Sequence, residues 1–227
     1  MWLSLMAILA GAGAGPADAD AAFARMEQAL ECKTLQVQLE VTSKSSNDRA
    51  MSVKGRLAVA RGDKVRLELD GKADGKPMKI VVVSDGKKLR FTRSGNPSQD
   101  VDTKERLGDV HMGSLSRAGV FFTLFTQVAP GQEDEFDPKK VFPISDIKFG
   151  KKEVISGREA QVIEYKLSPG GYKDPLAVIV WVDVKTNLPV KRVVTHKRGK
   201  DTVTVTESYT KPVIDGKIDG KEFDLPK

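Results

Sequence analysis

The sequence predicts a mainly β protein with two or three helices, its strands forming one curved antiparallel sheet or incomplete barrel. Three observations predict it. Apolar side chains alternate with polar ones in segment after segment from Leu35 onward, the period of half-buried strands. Short turns rich in Gly, Asn, Asp and Pro separate those segments. Only two stretches carry apolar residues at helical spacing, too few helices to cover both faces of an open sheet.

In chain order, residues 2–10 (WLSLMAILA) are apolar and lead through a Gly/Ala-rich run to Ala17-Asp18-Ala19. That is the length of a signal-peptide core with a small-residue cleavage site, and too short for a membrane span. Residues 1–19 therefore read as a signal peptide and 20–227 as a single exported domain. Residues 20–33 read as a helix with Phe23, Met26 and Leu30 on one face and Asp18 and Asp20 as candidate N-caps. Leu35, Val37, Leu39 and Val41 then alternate with Gln36, Gln38 and Glu40.

Residues 54–91 form an antiparallel meander. Leu57 and Val59 precede a turn at Arg61, Val65, Leu67 and Leu69 follow it, and Met78 to Val83 is apolar and β-branched. Ser84-Asp85-Gly86-Lys87 supplies a turn with Gly where a positive φ is needed, and Leu89 and Phe91 resume the alternation. Residues 94–100 read as a loop. Residues 112–128, with Leu115, Phe121, Phe122, Leu124, Phe125 and Val128, read as a second helix ended by Pro130-Gly131. From Ile144 the chain is β again: short strands at 147–149, 153–156 and 161–167, the most apolar strand at 176–184, then 190–196 and 201–209, with the tail docking Phe223.

The chain carries 37 Lys and Arg against 31 Asp and Glu. Losing residues 1–19 removes one acid and no base, taking the net charge from +6 to about +7. The bases are scattered in ones and twos among acids, and aromatics are only 6% and do not interleave with them, so no nucleic-acid platform is present. A single cysteine, Cys32, allows no intrachain disulfide.

Catalytic and metal-binding patterns are missing. His111 and His196 stand far apart, with no HExxH or CxxC, and Asp100, Asp102 and the acids at 133–137 do not follow a calcium-loop pattern. Ser84-Asp-Gly-Lys87 matches SxxK formally, but it ends a strand in a hairpin rather than opening a helix, and neither SDN nor KTG accompanies it. The expectation is no enzyme, no cofactor and no metal.

The strings LAVARGDKVRLEL, VVVSDGKKLRF, WVDVKTNLPVKRV and the terminal FDLP resemble the LolA-like family of periplasmic lipoprotein carriers, with the related LolB and RseB-type domains. The likeness extends over nearly all of residues 20–227. It departs from the family pattern at Gly62, where the family has Pro, at Arg90, where it has an aromatic, and at Val65 and Leu67, where bulkier rings are usual. The resemblance implies an incomplete barrel with an α-helical lid over an apolar cavity, and a lid-closing role for Arg61. It implies a monomeric periplasmic carrier that shuttles acyl chains of lipoproteins or lipids towards the outer membrane, with an inner-membrane release complex and an outer-membrane acceptor as partners. The candidate cavity lining is Phe23, Met26, Leu30, Leu57, Val59, Val65, Leu67, Phe121, Leu124 and Phe125. The alternative reading is a sensor or scaffold domain of the same fold that binds a protein partner in the envelope.

Overall fold

The computed structural model describes residues 16–94, 99–102, 117, 119, 138–168 and 173–226. Helix α1 (Pro16–Leu30) comes first. Pro16 suits a first helical turn because its fixed φ is already helical and its missing N–H would have had no partner there. Alanines at 17, 19, 21 and 22 add the strongest helix propensity. The helix thus starts four residues before the expected range, and Asp18 and Asp20 lie inside it rather than capping it. It also ends three residues early, where the Glu31 N–H turns back to the Gln28 carbonyl. Cys32 consequently sits in the connector, buried, with its thiol on the Leu30 carbonyl.

Six strands follow as an up-and-down meander: β1 (Thr34–Ser45), β2 (Ala50–Ala60), β3 (Lys64–Ala73), β4 (Lys76–Asp85), β5 (Lys88–Arg93) and β6 (Gln99–Asp102). A one-turn helix α2 (Pro138–Val141) leads into a second meander of β7 (Ile144–Ile155), β8 (Arg158–Leu167), β9 (Leu176–Asp183), β10 (Pro189–Arg198) and β11 (Asp201–Ile214). Antiparallel pairing of β1 with β11 joins the two into one 11-stranded sheet with β6 and β7 at its edges. A 3₁₀ turn, Gly220–Phe223, then packs on β3 and β4 and buries Phe223, as the tail was expected to do.

Two expectations need correction. The strands at 147–149 and 153–156 are one strand, β7, whose register slips between Ser145 and Lys148 and between Phe149 and Lys152; each irregularity resets the alternation and hides the continuity. The loop at 94–100 ends sooner, because Gln99 and Asp100 already pair with Phe91 and Arg90. Among the described residues α1 is the only helix longer than one turn. The second helix, at 112–128, lies outside the described residues except for Arg117 and Gly119. Arg117 itself has φ 61°, in the left-handed region.

Registered rows of side chains cross the concave face. One row runs Phe149, Ile163, Val180, Arg192, Glu207, Val41, Val53, Gly71, Met78 from β7 to β4. Another runs Val37, Leu57, Leu67, Val82, Phe91. The strands approach one another most closely at Gly55 and Gly71. A Cβ on Gly55 would stand 1.7 Å from the Glu68 carbonyl oxygen, and one on Gly71 would stand 2.1 Å from that of Ser52. The neighbouring strand's backbone occupies the space a side chain would need, so these two glycines set the curvature.

Gly55→Ala and Gly71→Ala are each expected to cost more than about 2 kcal/mol in urea unfolding, since backbone cannot yield as a side chain can. Gly157→Ala, in an open turn at φ 79°, is expected to cost about 1 kcal/mol or less. Equal losses at the three sites would remove the role of this close approach.

Candidate functional site

The inward face gathers the expected lining residues. Phe23, Met26 and Leu30 of α1 and Leu57, Val59, Val65 and Leu67 of β2 and β3 all belong to one buried cluster that spans the sheet. The rings of Phe23 and Tyr165 meet edge to face, with centroids 4.9 Å apart, which seats α1 over β8. Phe121, Leu124 and Phe125 lie outside the described residues.

Arg61 is exposed in the β2–β3 turn, and its backbone N–H donates to the Lys33 carbonyl in the α1–β1 connector. Asp215, just past β11, holds the same connector by accepting from the Lys33 N–H at 2.6 Å. Of the two helical segments expected to form the lid, α1 is described, and 112–128 lies outside the described residues except for Arg117 and Gly119. Ser84 falls on the inward row Leu35, Val59, Val65, Ser84, Leu89, fully buried. Its hydroxyl donates to the Asp63 carbonyl and accepts from the Gly86 N–H, so it fastens the hairpin, and Gly86 takes the positive φ, 97°, that the turn calls for.

Besides Ser84, charged side chains that sequence reading missed interrupt this apolar wall. Arg192 on β10 and Glu207 on β11 stand opposite each other in register and are 1% and 0% exposed. Arg192 Nη1 faces Glu207 Oε1 from 3.7 Å, an ion pair too long for a hydrogen bond. Tyr209 donates its hydroxyl to Glu207 Oε2. Tyr165 on β8 donates to the Arg117 carbonyl at 2.9 Å and also reaches Arg192. Arg117 is buried too, with its Nη1 3.5 Å from Glu27 of α1.

Gly119 lies against the guanidinium: a Cβ there would come within 0.9 Å of Arg192 Nη1, so any side chain at 119 displaces Arg192. Among the described residues, Nε of Arg192 and Nε of Arg117 are buried without a hydrogen-bond acceptor. Each such group costs about 1–3 kcal/mol.

The signal was present in strand parity. Val203, Val205, Glu207 and Tyr209 share the inward side of β11, and Arg192 shares that of β10 with Val194. An acid and a base on the greasy parity of adjacent strands mark a buried pair.

Burial opposes the charge of Arg192, but Tyr165, Glu207 and Tyr209 outweigh it and hold the guanidinium above its ordinary range. Burial pushes the Tyr165 phenol up, and the nearby Arg192 does not cancel it. Burial followed by Glu207 drives Tyr209 well above the ordinary phenol value. Burial, and then Asp215, also raises the Cys32 thiol.

On the outward face, a groove of about 550 Å³ is lined by Gln38, Glu40, Lys54, Arg56, Glu68, Asp70, Lys79 and Thr210 among others. Arg56 on its wall binds Glu68 at 3.2 Å and Glu222 at 2.6 Å, which ties the C-terminal 3₁₀ turn to the sheet. Among the described residues no cluster of His, Cys, Asp or Glu is placed to hold a metal. No described helix is long and apolar enough to cross a membrane.

No family model matches the chain, and no curated protein matches it. Among solved structures, it is similar to LprF from Mycobacterium bovis, with a TM-score of 0.48 at 11% identity over 90% of this chain and 99% of that one. It is similar to a LolA superfamily protein from Nitrosomonas europaea, with a TM-score of 0.38 at 10% identity over 91% and 97% of the two chains. It is also similar to the MucA/MucB complex of Pseudomonas aeruginosa, with a TM-score of 0.44 at 15% identity over 92% of this chain and 61% of the matched one.

Arg192→Ala is expected to cost about 3–5 kcal/mol in urea unfolding, because it strands the buried Glu207. Arg192→Leu combined with Glu207→Leu is expected to be neutral or stabilising. Matching losses in both variants would mean that the pair, not its breakage, carries the stability. The tyrosines give a pH signature. Their folded phenols titrate above the unfolded value of about 10, so their contribution is complete below that pH and is lost as pH rises through the raised values. In an absorbance titration at 295 nm, Tyr165 and Tyr209 should ionise only together with the loss of tertiary circular dichroism. Ionisation of all three tyrosines with the fold intact would contradict this.

Proposed function

We infer that the chain is a non-catalytic carrier that holds the acyl chains of a lipid or lipoprotein against the concave face of its sheet and moves them through the envelope towards the outer membrane. One observation carries the reading: a single apolar face extends from β8 to β4 with a helix laid on it, and its residues belong to one cluster. Each methylene taken from a bilayer into water costs about 0.8 kcal/mol, so a carrier must offer an apolar surface of this kind. On this reading Phe23, Met26, Leu30 and the β2–β3 residues touch cargo. Phe121, Leu124 and Phe125 add apolar surface, and Arg61 holds the closed form. The proposed setting is the periplasm.

Native mass spectrometry of the protein taken from its own envelope is expected to show lipid-sized adducts, and an acyl-chain fluorophore is expected to bind and be displaced by lipid. A bare mass in every preparation, together with no fluorophore binding, would overturn the carrier reading and leave the protein-binding alternative.

A further inference from the structure

We propose that Arg192 and Tyr165 form a head-group site within the acyl-binding face, and that it accepts the neutral carbonyl of an ester- or amide-linked acyl ligand. The inference rests on the carrier reading and names the polar chemistry of the cargo.

Among the described residues, Nε and Nη1 of Arg192 and Nε of Arg117 lack a hydrogen-bond acceptor, and Glu207 Oε1 faces Nη1 only from 3.7 Å. Arg192 Nε is buried and has no acceptor among the described residues, and Tyr165 spends its proton on a backbone carbonyl, that of Arg117. The resident acceptor is therefore a neutral C=O. The described charges already balance, Arg192 with Glu207 and Arg117 with Glu27, so an anion arriving here would add an uncompensated charge to a buried site. A neutral acceptor would satisfy the spare N–H without that cost. The site also stands in the right place. Arg192 lies in register between Val180 and Glu207, and beyond Glu207 the row continues through Val41 and Val53, so a carbonyl held there leaves its hydrocarbon on apolar neighbours. A ligand carbonyl would take over the Tyr165 hydrogen bond from Arg117 and add an acceptor for Arg192.

The test compares dioleoylglycerol with its dialkyl ether analogue, which keeps the chains and lacks the carbonyls, and with oleate. Binding is measured by fluorophore displacement at pH 8. Wild type should bind the ester about tenfold more tightly than the ether. Tyr165→Phe should reduce that preference, and Arg192→Leu with Glu207→Leu should bring the ester down to the affinity of the ether. Circular dichroism and thermal melting confirm that each variant folds; if the double variant fails to fold, Tyr165→Phe decides alone. Equal affinity of ester and ether in wild type would overturn the head-group site, as would a preference that survives both variants. Oleate outcompeting the ester would overturn its neutral character. Binding of none of the three would defeat the carrier reading itself, a result distinct from equal binding.

Discussion

The pairing of β1 with β11 is the contact on which the rest of the structure depends. Each meander is local, closed by short turns, and would leave a free edge at its long strand. When Leu39 settles opposite Tyr209 and Val41 opposite Glu207, those edges vanish into the middle of one sheet, and the inward rows of the two halves become continuous. The chain closes a loop of most of its length to make this pair, an entropic cost that grows only slowly with loop length but slows the search. Asp215 then fixes α1 to the same seam by taking the Lys33 N–H, so the helix is positioned by the strand pair that completes the sheet.

That seam also explains why a buried ion pair is tolerable. Glu207 stands between Val41 and Arg192, so the carboxylate has an apolar neighbour on one side and its counter-charge on the other. Tyr209 donates to the second oxygen of Glu207, and the first faces Arg192 Nη1 across 3.7 Å. A wall built only for stability would use leucines at both positions, because replacing a buried pair with apolar side chains is often neutral or better. The retained pair holds N–H groups at a fixed depth in hydrocarbon surroundings, which a packed core has no use for and a face that binds amphiphiles does.

Much of this was legible in the chain. The alternation at Leu35 to Val41 and the SDGK turn gave strand and hairpin directly, because both signals are local. The misses have physical causes. In β7 two slips of register reset the period, so a 12-residue strand read as two fragments. Pro16 read as part of a leader although it starts α1, since a proline signals a helix start only when the helix after it is recognised. The meaning of Gly55 and Gly71 lies in carbonyls of a neighbouring strand that no local window contains. Glu207 and Arg192 were readable from parity alone, but only once a buried charge is entertained.

Curvature is a requirement of this inventory rather than an ornament. Laid flat, 11 strands at about 4.8 Å spacing would span roughly 50 Å, while a 15-residue helix reaches only about 22 Å. One such helix cannot shield the whole face, and α1 meets it at the β7–β8 end, through Tyr165. The rows on β2 to β4 are nonetheless buried in the same cluster as Phe23 and Met26, as a curled sheet allows. The corner at Gly55 and Gly71 supplies that curl, and the interior volume is governed by its angle and by the seat of α1. On the proposed carrier reading, accommodating a hydrocarbon chain therefore calls for yielding at the seat of α1, which leaves the paired ladders of the corner and the β1–β11 seam intact.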